Sequence, residues 1–212
     1  MSAKGSLLVI NAALVDVESG IVRNGMWMHC RDGLIAEIGA HRDGDPVVEP
    51  AEVVDADGAF VAPGFVSSHS HLFSSAARGL GVDQRLYGWA VATYSVTRDA
   101  TAEQMYWCTV HGALDALNAG VTTVFDFVDP RRTLVAASES LHGVLGELRP
   151  LAHVQRQIDA HRDAGIRAVL AFQIELAGRN EQVAVDEFDS FVAAVARDNS
   201  GFLLDAAVFG AA

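Results

Sequence analysis

The sequence predicts an α/β protein in which a β-rich N-terminal segment leads into βα units around a parallel sheet. Three observations carry this reading. Short apolar or β-branched runs alternate with turn dipeptides from Leu7 to Val61, the hydrophobic period changes after Pro63-Gly64, and a helix, glycine, strand pattern then occurs three times. Strict alternation of helices and strands is the mark of βα units.

Each element has its own signal. Leu7 to Val15 is one apolar run. Met26 to Cys30 and Leu34 to Ile38 flank Arg31-Asp32-Gly33, a hairpin signal in which the glycine accepts positive φ. Val53 to Asp55 and Ala59 to Val61 flank Asp57-Gly58 in the same way, while Ala40 to Pro50 reads as a loop. Phe65 to His69 is a strand. Thr101 to Asn118 is a helix whose Thr101-x-x-Gln104 start fits a capping box. Gly120 ends it, and Val121 to Phe127 reads as a strand buried on both faces. Leu151 to Ala164, Gly165 and Ile166 to Ile174 repeat the pattern. Asp186 to Arg197, Asn199-Ser200-Gly201 and Phe202 to Val208 repeat it again, with Phe188, Phe191, Val192 and Val195 forming one apolar stripe. The stretch from His71 to Thr101 is long for a βα connection of about 2 to 6 residues, so it reads as a functional loop. It carries Tyr87, Trp89 and Tyr94, with a short helix expected around Gln84 to Thr93.

Composition excludes several function classes. The 212 residues are half apolar, with 27 acidic and 15 basic side chains and a net charge of −12. Lys4 is the only lysine and no window is rich in arginine, which argues against a nucleic-acid partner. No apolar run approaches the roughly 18 residues of a membrane span, and the N-terminal run Leu7 to Ile10 is too short for the apolar core of about 7 to 15 residues in a signal peptide. Cys30 and Cys108 are too isolated for a disulfide framework or a thiolate metal site, so a reduced cytoplasmic setting is the default.

The sharpest chemical feature is His69-Ser70-His71 at the end of a strand. Residues two apart on a strand share a face, so both imidazoles project together. Two neutral imidazoles converging at the carboxyl end of a parallel strand make half of a metal site, since zinc and iron both accept imidazole nitrogen. Two solvated or hydrogen-bonded histidines are the alternative. Asp126 and Glu175 lie at strand ends, as hydrated carboxylates or as groups touching substrate or metal. His111 is expected on the packed or boundary face of its helix, and His142, His153 and His161 on solvated outer helices.

The run Val61-Ala62-Pro63-Gly64-Phe65-Val66-Ser67-Ser68-His69-Ser70-His71-Leu72, followed by Asn118-Ala119-Gly120-Val121-Thr122-Thr123-Val124, resembles the amidohydrolase superfamily of metal-dependent hydrolases. Arg78-Gly79-Leu80 with Trp89, and Gly165 to Leu170, are similar to the subgroup of cytosine, guanine and adenosine-type deaminases and triazine hydrolases. The resemblance implies a (β/α)₈ barrel behind an N-terminal β-sandwich segment. It also implies a small heterocyclic substrate and hydrolysis of a C–N or ring C–X bond by a metal-activated water. His69 and His71 would be metal ligands, for zinc first and iron second, and Trp89 would contact substrate. No lysine follows Lys4 to bridge two metals, which favours a single ion. Tyr94-Ser95-Val96-Thr97-Arg98 stands where adenosine-type members carry a ribose-binding glutamate, a departure that argues against a nucleoside.

A complete barrel takes about 250 residues. The expected division is therefore residues 1–62 as sandwich segment and 63–212 as the first half of a barrel, about four βα units. The remaining metal ligands and both proton-transfer groups would lie downstream of Ala212, so no catalytic residue is assigned within the chain. The alternative is a truncated, catalytically silent product. Its unpaired barrel edges would favour a homo-oligomer. A small binding module built on the two histidines is the third reading.

Overall fold

A computed structural model describes residues 5–41, 52–137, 143–176, 178–197 and 204–211. The chain divides after Gly64 into two compact units.

The first unit is built around β1 (Ser6–Asp16). It pairs antiparallel with β2 (Ile21–Arg31), which pairs antiparallel with β3 (Leu34–Ala40). Asp32 and Gly33 both take positive φ, as a tight hairpin between right-twisted strands requires. β4 (Glu52–Asp55) and β5 (Phe60–Val61) both run parallel to β1. The expected hairpin at Asp57-Gly58 is thus corrected. Both residues do have positive φ, but the chain jogs there and resumes its direction. The jog sits opposite a bulge in β1 at Asn11, itself left-handed, whose carbonyl accepts from the Gly58 N–H at 2.8 Å and whose amide donates to Asp55 Oδ1. Leu8, Val9, Ala12, Ala13, Met26 and Trp27 are buried in this unit. A methyl at Gly39 would come within 2.3 Å of the Trp27 ring, so that position must be bare. All five strands belong to one sheet, and a second sandwich layer is not found among the described residues of this unit.

The second unit holds a four-stranded parallel sheet in the order β11, β10, β7, β6. Its strands are β6 (Phe65–Ser70), β7 (Val121–Phe127), β10 (Arg167–Ile174) and β11 (Leu204–Ala211). A 3₁₀ helix (Leu72–Ala77), α1 (Leu86–Thr97) and α2 (Ala102–Asn118) connect β6 to β7. The expected capping box is present, with Thr101 and Gln104 bonding each other's backbone N–H groups. A hairpin that sequence periodicity did not reveal, β8 (Leu134–Ala137) and β9 (Gly143–Leu145), precedes α3 (Ala152–Ala164). α4 spans Glu181–Ala196, beginning five residues earlier than expected because Asn180 caps it and its first turn is polar. The expected loop from Ala40 to Pro50, His142, and the start of the last expected strand at Phe202 lie wholly or largely outside the described residues.

Apolar side chains from the sheet, α3 and α4 form one core, with Ile158, Ile166, Leu170 and Phe191 at its centre. Gly165 ends α3 in the left-handed region at φ 74°, with open space where a methyl would stand. Gly165→Ala should therefore cost about 1–2 kcal/mol from backbone strain alone. A urea titration of the variant against the parent measures it. No helix among the described residues is long and apolar enough to cross a membrane.

Candidate metal centre

β6 ends in a bulge, because Ser67 pairs with Val124 but Ser70 with Asp126, leaving one extra residue on β6. A 2.7 Å hydrogen bond between Ser67 Oγ and Ser70 Oγ braces it. His71 follows in a non-helical conformation at the start of the 3₁₀ helix. The result brings the two imidazoles together: their Nε2 atoms are 3.2 Å apart and their ring centroids 5.0 Å. Phe127 lies beneath both, with centroids at 4.5 Å from His69 and 5.4 Å from His71. Trp89 on α1, half-buried, is 6.4 Å from the His71 ring. Tyr94 stacks on Phe73.

Burial holds the His71 pKa below the usual imidazole value, and the nearby His69 ring acts the same way. Asp126 and a hydrogen bond to the Phe127 backbone oppose them. The neutral imidazole carries the lone pair a metal needs. Among the described residues no third His, Cys, Asp or Glu joins these two in a metal-sized cluster.

The remaining candidates are placed differently from expectation. His111 is exposed and does not pack into its helix interface. His153 donates to the Ala100 carbonyl at 2.9 Å. His161 is fully buried, not solvated, and donates to Asp126 Oδ2 at 2.8 Å. Asp126 is fully buried too, so it is not a hydrated strand end. One sequence signal pointed there: a carboxylate inside a run of buried strand must have a partner. Spacing could not say that the partner stands 35 residues away.

The same logic holds for a pair that sequence reasoning did not single out. Asp129, fully buried, is clasped by Arg149, whose guanidinium also donates to the Thr97 and Pro130 carbonyls. Nearby, Arg131 and Arg179 both grip Glu187, at 2.5 and 2.7 Å. Glu175 is buried at the end of β10 with Arg132 3.8 Å away. Burial raises the Glu175 pKa against the pull of these guanidiniums.

Burial also pushes the Asp129 carboxyl up to about 7, against Arg149, from an ordinary 3.8. The folded state then binds this proton more tightly than the unfolded chain. Its stabilising contribution is complete below about pH 4 and is lost as pH rises through about 7. The urea midpoint should fall across that window, and Asp129→Asn should flatten the fall. Titrations at several pH values on both proteins compare the slopes.

Comparison with known proteins places these residues in context. The model of the amidohydrolase family matches residues 60–202. A 5-methylthioadenosine/S-adenosylhomocysteine deaminase of Symbiobacterium thermophilum is 31% identical over 131 residues, covering 58% of this chain and 30% of the deaminase. A triazine hydrolase from Arthobacter aurescens superposes with a TM-score of 0.70 at 17% identity, over 96% of this chain and 46% of that one. An adenosine deaminase from Xanthomonas campestris with bound zinc gives 0.64 at 17% identity, over 95% and 42%. At these identities the structural likeness speaks for the fold. The chain spans less than half the length of each of these relatives.

Proposed function

Because this chain belongs to the amidohydrolase family, we propose that it forms the N-terminal, metal-gripping portion of a hydrolase acting on nitrogen heterocycles, by deamination at C–N or displacement at a ring C–X bond. The observation that carries the proposal is the convergence of His69 and His71. Zinc–imidazole bonds of about 2.0–2.1 Å at a tetrahedral angle set two nitrogens roughly 3.3–3.4 Å apart, close to the 3.2 Å between these Nε2 atoms. The donor set thus fits one divalent ion, zinc or iron. Such an ion supplies Lewis acidity that brings the pKa of a water toward about 7.

In this reading the chain's own residues have distinct tasks. His69 and His71 each present Nε2 to the ion. Phe127 packs against both rings, while His69 stays exposed. Trp89, beside His71, offers an aromatic face to a flat heterocycle. Further metal donors, and the groups that move protons to and from the substrate, would come from outside the described residues. The deaminase and triazine hydrolase relatives support the heterocycle class, and the zinc in one of them supports the metal.

Zinc equilibrium dialysis tests the metal centre: the parent chain should bind zinc weakly, because two imidazoles supply half of a tetrahedral shell, and His69→Ala/His71→Ala should bind none. Retention by the double variant would sink it. Reading the gene past codon 212 tests the division of labour. Continuation with further histidines and a late aspartate supports the hydrolase, whereas an authentic stop codon favours the silent, truncated product.

A further inference from the structure

The peptide group joining His71 to Leu72 is held at both ends. Its carbonyl, from His71, accepts from the Ser74 N–H at 2.9 Å and from Ser74 Oγ at 2.7 Å. Its N–H, from Leu72, donates to Asp126 Oδ1 at 2.9 Å. The other Asp126 oxygen accepts from His161 Nε2 at 2.8 Å, and His161 Nδ1 donates to the Gln157 carbonyl at 2.7 Å. Gln157 in turn accepts the Asp129 N–H at 2.9 Å. Asp126, His161 and Gln157 are all fully buried. A chain of hydrogen bonds therefore runs from α3, through the end of β7, to the backbone beside His71.

The far side of Leu72 is equally constrained. A methyl at Gly112 would stand 2.3 Å from the Leu72 carbonyl oxygen, so α2 touches this backbone directly. Burying a carboxylate and an imidazole in an apolar core is costly, and an apolar pair of similar volume would stabilise the fold at least as well. The oxygen that Asp126 turns toward Leu72 does something an apolar residue cannot. It fixes the peptide plane that follows His71, and so the direction in which the His71 ring leaves the backbone.

We propose that Asp126, backed by His161, is a positioning residue that aims His71 at His69. This rests on the reading of the two histidines as metal ligands, yet it has a readout of its own in the metal-free chain. Asn at position 126 can still accept from the Leu72 N–H through its oxygen, and it can donate to a His161 that carries its proton on Nδ1. Ala can do neither.

The experiment compares the full chain with Asp126→Asn, Asp126→Ala and His161→Ala. It measures exchange of the Leu72 amide and the nuclear Overhauser effect between the two imidazoles without metal, then zinc affinity by calorimetry. Asp126→Ala should expose the Leu72 amide to exchange, abolish the imidazole contact and weaken zinc roughly tenfold or more, on the scale of lost outer-shell hydrogen bonds. Asp126→Asn should keep all three within about threefold of the parent, below that scale. A folded Asp126→Ala that keeps both the imidazole contact and zinc affinity overturns the proposal. If that variant does not fold, His161→Ala decides on the same two readouts. If the parent itself binds no zinc, the metal reading falls, and the imidazole contact alone decides the positioning role.

Discussion

Asp129→Ala is expected to destabilise the chain by about 3–5 kcal/mol, the range for removing one partner of a buried ion pair. The loss arises less from the bond than from what stays behind. Arginine stays protonated in proteins, so the Arg149 guanidinium would remain charged in the interior, with the Thr97 and Pro130 carbonyls as its acceptors among the described residues. The converse change should be milder. With the guanidinium beside it, Asp129 already titrates at about 7, and in Arg149→Met it can take up a proton and become neutral. Asp129→Leu/Arg149→Met should recover most of the loss, since an apolar pair needs no compensation. Urea unfolding of the three variants at neutral pH gives the ranking. Equal losses in the two single variants would refute the asymmetry. The pair also secures local architecture, because Arg149 and Arg131 exchange backbone and side-chain hydrogen bonds across the base of the β8–β9 segment, at 2.9 and 2.7 Å.

Replacing His71 by Ala should lower zinc affinity roughly a hundredfold or more. Four-ligand zinc sites contribute about 10–16 kcal/mol, which apportions roughly 2.5–4 kcal/mol to each donor, and every 1.4 kcal/mol is tenfold. His69→Ala should match it, because the two Nε2 atoms are equivalent in reach. Trp89→Ala should leave zinc affinity unchanged while weakening a bound heterocycle, since its ring stands 6.4 Å from His71 and offers no donor to the metal. Competition with a chromophoric chelator reads all three. A zinc affinity that falls for Trp89→Ala but not for His71→Ala would place the ion elsewhere.

Much of this was legible because it depends on short range. The Thr101 capping box, the left-handed Gly120 and Gly165, and the tight turn at Asp32-Gly33 follow from local backbone chemistry, and they stand where the sequence puts them. The i, i+2 spacing of His69 and His71 pointed to the convergence of their rings, although His71 lies just beyond β6 and its ring meets His69 across the bulge at the strand's end. Local chemistry also marked Asp57-Gly58 as a turn, yet whether that turn reverses the chain depended on its fit against the bulge at Asn11. The β8–β9 hairpin escaped because its strands are only four and three residues long, too short for periodicity to register.

By itself, then, the sequence determined the α/β class, the helix boundaries marked by caps and glycines, the family and the histidine pair. Only the tertiary structure decided which carboxylates are buried and what neutralises them. His161 looked like a surface residue of an outer helix and proved to be the partner of Asp126, and Arg149 the partner of Asp129. The physical reason is that periodicity and capping are properties of neighbours along the chain. The desolvation of a charge, and the partner that compensates it, is settled by groups 20 to 35 residues away that meet only when the sheet and helices pack.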